Sequence, residues 1–545
     1  MNKDDYIDKI NVILSDNTKF VQINKDPTLQ LKKKLRALID TVHATSNAPR
    51  FPSLIGQYQP GYIYGNAKIH KNKENPPLRP IISQLGTPTY EVAKKLNEII
   101  SPYLPSKYLI KSTAEFIDLL QNYDSPQGYL TSLDVENLFT NVPVEETINI
   151  IIDTLYKNPT APPPLIPQEL LRSLLRVCTT ETPFKSPNGD VYLQKDGVSM
   201  GSPLGPLFAN FYMGFIENNI VPHLTNKPEI YTRYVDDIFL IVKNIKVLEE
   251  IKEKFTNLSS LNFTYEIEQN KSLPFLDVSV TRHQDALSTA VHTKATNSDE
   301  CINYRSIAPE RYKTGVIKTF LHRAYKICNN WTTLIAEIDR IQQLLTNNNF
   351  PMKLIEQTIK QFIDRKQIPT TESNTPSINI YYRSQMSSQY KQEERNIKDM
   401  VNTHISPTNE SEEIRVQIYY KNKKLRNLFI RNNSRTMKKE ETSHVVYEYR
   451  CPVEECKPST SYVGYTECSL VDRLRNHAQH GSILEHYKDK HGRKINTKSL
   501  VEDTIILRQL PSKEELLLAE ALLIKEIQPT LNAQREGEVR VLAIF

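Results

Sequence analysis

The run Ile230-Tyr-Thr-Arg-Tyr-Val-Asp-Asp-Ile-Phe-Leu-Ile-Val242 sets two neighbouring carboxylates, Asp236 and Asp237, between apolar and aromatic residues. The pattern predicts two short strands with the acids at the tight turn of a hairpin. Carboxylates beside apolar strands are costly unless cations neutralise them. Hard oxygen donors of this kind suit Mg2+, which commonly binds one or two carboxylates together with substrate phosphates. A plain Asp-rich turn gives the same pair, because Asp is a common turn residue. A third acid bears on the choice. Asp134 ends the apolar segment Tyr129-Leu-Thr-Ser-Leu133, far enough upstream to belong to another strand of the same sheet. Carboxylates from separate strands can hold two metals about 3.5–4 Å apart, the clamp that stabilises in-line phosphoryl transfer.

The elements that must carry these acids can be read on either side of them. Residues 1–55 are polar and helical, with Leu31, Leu35 and Ile39 at four-residue spacing. Pro60-Gly-Tyr-Ile-Tyr-Gly-Asn-Ala-Lys-Ile-His-Lys71 and Pro76-Pro-Leu-Arg-Pro-Ile-Ile-Ser83 predict a hairpin bearing Lys68 and Arg79. Two cations over a metal site would hold a triphosphate, Arg through its fork and Lys as a point charge; two solvated surface cations fit the spacing as well. Residues 88–124 read as helical around Leu96, Ile99 and Ile100, and 158–167 as a Pro-rich loop before a helix at 170–177. The stretch from Asp196 to Pro206 is punctuated by Gly197, Gly201 and Gly205, which let backbone approach a ligand closely, and leads into an apolar helix at 207–213. Beyond the acids, 247–255 reads as an amphipathic helix and 263–268 as an alternating strand. Lys313, Lys318, Arg323 and Lys326 give a later helix a basic side suited to a nucleic-acid backbone.

Tyr234-Val-Asp-Asp237, with the upstream Ser132-Leu-Asp-Val-Glu-Asn-Leu-Phe-Thr-Asn-Val-Pro143, resembles motifs C and A of reverse transcriptases. Asn137-Leu-Phe-Thr-Asn-Val-Pro143 and the stretch from Asp196 to Met213 are similar to Penelope-like retroelement proteins, relatives of telomerase reverse transcriptase. The resemblance implies a right-hand polymerase of fingers, palm and thumb that copies an RNA template onto a DNA primer from dNTPs. It implies that Asp134, Asp236 and Asp237, with Val135 beside them, hold two Mg2+. Lys68 and Arg79 then fall in the fingers motifs that hold the triphosphate. Phe139 becomes the steric gate that stacks under the sugar and excludes a 2′-hydroxyl, where the plainer reading is a core Phe. The turn at Gly201 would pack beneath the template base and incoming nucleotide. Lys271, in Lys271-Ser-Leu-Pro-Phe-Leu-Asp-Val278, would give a proton to the leaving pyrophosphate, where the plainer reading is a solvated lysine.

A second module opens near residue 441. Val445-Val-Tyr-Glu-Tyr449 and Ser461-Tyr-Val-Gly464 read as strands, and Ser469 caps a helix bearing Leu470, Arg473, Leu474 and His477. Ser512-Lys-Glu-Glu515 is a capping-box pattern opening a helix that Pro529 stops. Glu520 lies on that helix's apolar stripe, an expensive place for an acid unless it is used, which makes it a metal-ligand candidate. Cys451 and Cys456, followed by His486 and His491, suffice for a closed tetrahedral zinc site, although the pairs are further apart than in an ordinary finger. Cys468, His477 and His480 compete as ligands. The tyrosine strands, helical arginine and buried glutamate resemble the GIY-YIG endonucleases, which accompany Penelope-like polymerases and carry an inserted Cys-Cys-His-His element. The resemblance implies Tyr447 and Tyr462 for the two motif tyrosines, Arg473 on the scissile phosphate, and His477 assisting proton transfer. Glu520 would hold one Mg2+, and Asn532 would fall at the closing Leu-Asn. Val445-Val446-Tyr447 departs from Gly-Ile-Tyr in the first motif.

The 545 residues predict several structural units: an N-terminal helical segment at 1–55, fingers and palm at 56–285, thumb at 286–345, a polar helical linker at 346–440, and a zinc-stabilised α/β nuclease at 441–545. The fold class expected is α+β and multidomain. The linker contains a low-complexity stretch at 369–376 and a basic run beginning at Lys421, which reads as a nuclear signal, a nucleic-acid patch or a solvated face. A net charge of +6 permits nucleic-acid binding without demanding it. Six cysteines do not make a disulfide framework at this length, and no signal-peptide or membrane-spanning pattern is present. The resemblance implies synthesis in the cytoplasm and action on nuclear DNA, nicked by the nuclease and extended by the polymerase. A cellular polymerase of telomerase type and a decayed copy that only binds nucleic acid are the alternatives; the oligomeric state cannot be read.

Overall fold

The computed structural model describes residues 2–532 except 46, 57, 70–71, 73, 124–127, 158–161, 260, 284–285, 368–376, 408–412, 422–438, 457–459, 494 and 511. The low-complexity stretch at 369–376 and the basic run after residue 421 therefore lie outside the described residues.

The sheet that carries the three acids has four antiparallel strands in the order Ile230–Tyr234, Asp237–Val242, Tyr129–Val135, Phe263–Ile267. The strand Asp237–Val242 is a nearly continuous apolar run because both its faces are covered, whereas Phe263–Ile267 leaves Thr264, Tyr265 and Glu266 exposed. Leu133, Val135, Ile238, Leu240 and Val242 join the largest core, formed with the helices Tyr90–Ile100, Val144–Lys157, Gly205–Ile220 and Ile245–Leu258. The alternate residues Leu130, Phe239 and Ile241 face a second cluster built with the helix Thr113–Gln121 and the three-stranded sheet Ser272–Phe275, Val278–Arg282, Leu287–Val291. Side-chain alternation thus fixes the register, since a slip of one residue would exchange the two cores. The helical stretch expected at 88–124 is two helices, Tyr90–Ile100 and Thr113–Gln121; Pro102 and Pro105 lie in the break.

A second sheet has five strands, in the order Phe20–Ile23, Val191–Gln194, Pro183–Lys185, Gly61–Ala67, Leu78–Ser83. Its first strand corrects the expectation of a separate helical segment at 1–55. Phe20–Ile23 pairs with Val191–Gln194, and the helix Lys3–Leu14 closes a small core of Ile10, Leu14, Phe20, Ile63, Ile82 and Phe184. The helix Thr28–His43 buries Leu31, Leu35 and Ile39, the expected stripe, in the largest core.

The helices Glu310–Ile327, Trp331–Asn347 and Met352–Gln367 form one three-helix unit, so the boundary placed at 345 falls inside a core. Ile355 and Ile359 of the third helix pack with Ile317, Leu321 and Ile341 of the first two. The basic side expected on Glu310–Ile327 is only partly free. Lys313 is buried with its ammonium over the Tyr304 ring, and Arg323 pairs with Asp277 at 2.9 Å. The helical linker also contains a parallel strand pair, Ser377–Gln385 with Glu413–Lys421, on either side of the helix Tyr390–His404. The C-terminal unit is an antiparallel sheet in the order Ser461–Thr466, Val445–Arg450, Thr504–Gln509, with helices Leu470–His477, Ser482–His491, Thr497–Glu502 and Lys513–Ile527. No helix among the described residues is long and apolar enough to cross a membrane.

Gly201 lies against the edge of the five-stranded sheet by lacking a side chain. A Cβ there would lie 2.3 Å from the Ile82 carbonyl oxygen and 2.8 Å from the Ser83 Cα, both backbone atoms. Gly201→Ala is expected to destabilise the chain by about 1–3 kcal/mol, as overpacking does. Gly315, inside a helix with nothing within 4 Å of its Cβ position, supplies the opposite case. Gly315→Ala is expected to stabilise by about 0.5–1 kcal/mol. Melting temperatures of the two variants should move in opposite directions.

Candidate active sites and metal centre

Asp134 and Asp237 are directly opposite each other across the Tyr129–Val135 and Asp237–Val242 strands. Their side chains therefore leave the sheet on the same face. Asp236 sits immediately before Asp237 in the two-residue turn after Tyr234, and its carbonyl accepts the Val135 N–H at 3.3 Å. The three expected acids are thus gathered at one end of the four-stranded sheet, Asp134 exposed and the other two half-buried. Burial, followed by the charges of Asp236 and Asp134, pushes the Asp237 carboxyl up to about 6 against the opposing pull of Lys294. Three oxygen-donor groups that strain one another in this way fit a divalent cation of the Mg2+ type. They are not drawn into a closed metal cage, unlike the cysteine and histidine group below. Mg2+ commonly takes its remaining ligands from phosphates and water. The Val135 side chain turns into the core, so only its main chain can take part.

A cavity of about 350 Å³ opens beside this end, lined by Asp134, Asp237, Thr264, Glu266, His292 and Lys294 among others. Lys294 replaces Lys271 as the lysine next to the carboxylates. Asn270 and Lys271 both have positive φ and form a tight hairpin turn closed by two hydrogen bonds between Gln269 and Ser272, which leaves Lys271 exposed. Lys294 carries no motif spacing, which is why it escaped the sequence reading. Phe139 is half-buried at the start of the short helix Leu138–Asn141, and a Cβ on Gly205 would stand 3.5 Å from its ring. Its carbonyl accepts the Val198 N–H at 2.7 Å, so the glycine-punctuated loop docks directly on the segment after Asp134. Gly201 does not open toward a ligand as expected; the Ile82–Ser83 backbone occupies that space. Arg79 pairs with Asn66 on the hairpin of Gly61–Ala67 and Leu78–Ser83, and the Lys68 N–H donates to the Pro77 carbonyl at 2.8 Å, which puts both residues at the end where the loop joins the strands.

Arg233 and Glu217 were also missed, although each is a charge inside an apolar segment. Both are fully buried, with Arg233 Nε 2.7 Å from a Glu217 carboxylate oxygen.

In the C-terminal unit the structure brings together the residues singled out there. The Tyr447 hydroxyl lies 2.8 Å from His477 Nε2 and accepts from Arg473 Nε at 3.3 Å. Burial, then the Arg473 charge, lowers the His477 imidazole to about 4, which keeps it neutral at neutral pH. Burial also pushes the Tyr447 hydroxyl well above its usual range. The Tyr462 ring lies 5.0 Å from that of His477. Glu520 accepts the Tyr465 N–H at 3.0 Å; burial raises its carboxyl to about 7, with that hydrogen bond and Arg473 opposing. Asn532 holds the second tyrosine strand through both the N–H and the carbonyl of Val463, at 2.9 and 2.7 Å. Gly464 leaves room for the tyrosines, since a Cβ would fall 2.9 Å from the Tyr447 hydroxyl.

Cys451, Cys456, His486 and His491 converge, with their ligand atoms all within 4.8 Å of one another. Sulfur-to-nitrogen separations are 3.5 Å from Cys451 to His491, 3.7 Å from Cys456 to His486, and 3.5 Å from Cys456 to His491. These are the edges of a tetrahedron whose metal bonds are about 2.0–2.3 Å long, the zinc values. The competing histidine, His477, is engaged with Tyr447 instead.

Asp237 supplies a test of the strain at the carboxylates. Its raised value means that the folded chain keeps a proton the unfolded chain has lost between about pH 4 and pH 6. The destabilisation grows as pH rises through that window and is complete above it. Asp237→Asn should therefore raise the melting temperature in EDTA at pH 8 and leave it unchanged near pH 4. Equal shifts at both pH values would contradict the assignment.

Residues 69–297 match the family model for reverse transcriptase (RNA-dependent DNA polymerase), and residues 301–360 match a model described as an animal helix-turn-helix domain. No curated protein matches the chain. Similar solved structures include a telomerase from Candida albicans in complex with a TWJ fragment of telomeric RNA, at 11% identity and TM-score 0.39, covering 64% of this chain and 68% of that one. An apo telomerase from Candida tropicalis is 14% identical with TM-score 0.34, covering 63% of this chain and 65% of that one. The Sicinivirus 3Dpol RNA-dependent RNA polymerase is 11% identical with TM-score 0.37, covering 61% and 71%. The segment 69–297, which contains Asp134, Asp236 and Asp237, is a reverse transcriptase domain.

Proposed function

We propose that this chain is the protein of a Penelope-like retroelement, an RNA-directed DNA polymerase joined to a DNA-nicking module of GIY-YIG type. The observation that carries the polymerase half is the cross-strand pairing of Asp134 with Asp237, beside Asp236, inside the reverse transcriptase domain. Asp134, Asp236 and Asp237, with the Val135 main chain, hold two Mg2+, which supply charge stabilisation to the attacking and leaving oxygens of nucleotidyl transfer. Lys68 and Arg79 hold the triphosphate of the incoming dNTP, and Phe139 reads its sugar. The template is RNA and the primer is the 3′ end of target DNA, which places the action in the nucleus.

In the nicking module Arg473 holds the scissile phosphate, and the Tyr447–His477 pair keeps a hydroxyl and a neutral imidazole ready to pass a proton. Glu520 is the ligand for one Mg2+. Cys451, Cys456, His486 and His491 hold one structural zinc, which ties the helix Ser482–His491 to the segment after Val445–Arg450.

Primer extension on an RNA template should require Mg2+ and fall by at least about a hundredfold in Asp134→Ala and in Asp236→Ala, since each removes charge stabilisation aimed at the reacting oxygens. Undiminished synthesis by both variants would remove the polymerase assignment. For the second module, metal analysis of the full chain should find one zinc, lost in the Cys451→Ser/Cys456→Ser variant along with nicking of supercoiled DNA. Primer extension should survive that change, because the ligands all lie outside the polymerase cores. Nicking that persists in Glu520→Ala would make the module a binding domain.

A further inference from the structure

The turn that carries Asp236 has an awkward residue at its first position. Val235 adopts φ 57°, the left-handed region, which a β-branched side chain strongly disfavours. Two-residue hairpin turns need such a φ and usually take Asn, Asp or Gly there. Something outside the turn must therefore hold Val235 in place. Arg233 Nη1 donates to the Val235 carbonyl at 2.8 Å and to Asn210 Oδ1 at the same distance. Its Nε and Nη2 donate to the two Glu217 oxygens at 2.7 and 3.0 Å, and the Tyr231 hydroxyl braces Glu217 at 3.0 Å. The Arg233 main chain is fixed as well, through Tyr108 and Ile110 at 2.8 and 2.9 Å. Arg233 is opposite Ile238, so its guanidinium lies on the helix-covered face of the sheet, beneath the turn and away from the carboxylates.

We propose that Arg233, locked by Glu217, is the positioning residue of the catalytic turn: it pins the Val235 carbonyl and thereby aims the Asp236 carboxylate. The peptide from Val235 to Asp236 is a rigid plane, so fixing its carbonyl fixes the direction from which the Asp236 Cα departs. An apolar pair of similar volume commonly stabilises an interior as well as a buried ion pair does. No apolar pair can donate to the Val235 carbonyl. The helix that supplies Glu217 and Asn210 also carries Gly205 against Phe139, so one rigid element sets both the metal-binding turn and the residue proposed to read the sugar.

The proposal rests on the polymerase reading, and the experiment separates the two. The full chain is compared with Arg233→Met/Glu217→Leu, which replaces the pair by apolar volume, with Arg233→Lys, which keeps the charge and loses the fork, and with the double variant carrying Val235→Gly. The readouts are melting temperature, its rise on adding Mg2+, and kcat and KM for dNTP in RNA-templated extension. The double variant is expected to melt near the parent temperature while kcat falls by about a hundredfold, the scale of a catalytic group misplaced by an ångström. KM should stay within about twofold, because the triphosphate contacts are elsewhere. The Mg2+-induced rise in melting temperature should shrink. Val235→Gly should return about tenfold in kcat, since glycine adopts positive φ without support. Should the double variant fail to fold, Arg233→Lys is expected to give the same loss of kcat and of the Mg2+ response. A folded double variant or Arg233→Lys with parental kcat and parental Mg2+ response overturns the proposal. A parent chain without RNA-templated synthesis overturns the polymerase reading, and the Mg2+ response of the variants still decides the role of Arg233.

Discussion

Like charges crowded at the end of a buried sheet repel one another, and the polymerase half of this chain is built around holding that repulsion in place. Asp134 and Asp237 cannot separate, because they are fixed partners on adjacent strands buried on both faces. Asp236 cannot swing away, because its neighbour is tied down from below by Arg233. The two apolar cores do more than stabilise the fold. They make the sheet stiff enough to keep carboxylates close that would separate in a loop, so that a cation entering the site relieves strain already present.

The C-terminal unit meets a similar demand by a different route. Its core is small, centred on Tyr447, Tyr449, Leu470, Leu474, Ile483 and Leu500. The polar residues of its cluster are held mainly by one another and by the backbone: Tyr447 between Arg473 and His477, Glu520 by Tyr465, and Asn532 across Val463. A unit of this size gains much from a further cross-link, and the Cys/His group beside the end of the central strand would supply one on binding a metal.

Much of the site was legible in the sequence because its residues break local rules. Acids in an apolar run and an acid on an apolar helical stripe are costly placements that announce themselves, which singles out Asp236 and Glu520, while Cys451 stands out through its pattern with Cys456, His486 and His491. Arg233, three residues before Asp236, and Glu217, inside the helix Gly205–Ile220, break the same rule but carry no motif that marks them. Lys294 breaks no rule, and only the folding of a distant strand end brings it to Asp237. The strand Phe20–Ile23 was hidden for another reason: four residues show too little alternation to reveal a partner so far along the chain. The parallel pair Ser377–Gln385 and Glu413–Lys421 was masked by the polar helix between its strands.

The pairing of Phe20–Ile23 with Val191–Gln194 also constrains how the protein is made. The first strand of the fingers leaves the ribosome long before its neighbour exists, and the palm strand Tyr129–Val135 must likewise wait for Asp237–Val242 and Phe263–Ile267. The five-stranded sheet cannot close until synthesis has passed Gln194, and the four-stranded sheet until it has passed the acidic turn and Ile267. During that interval the apolar edges of Phe20 and Leu130 to Leu133 stand open to other chains. Nascent chains of this protein are thus open to edge-to-edge pairing with one another until those strands are made.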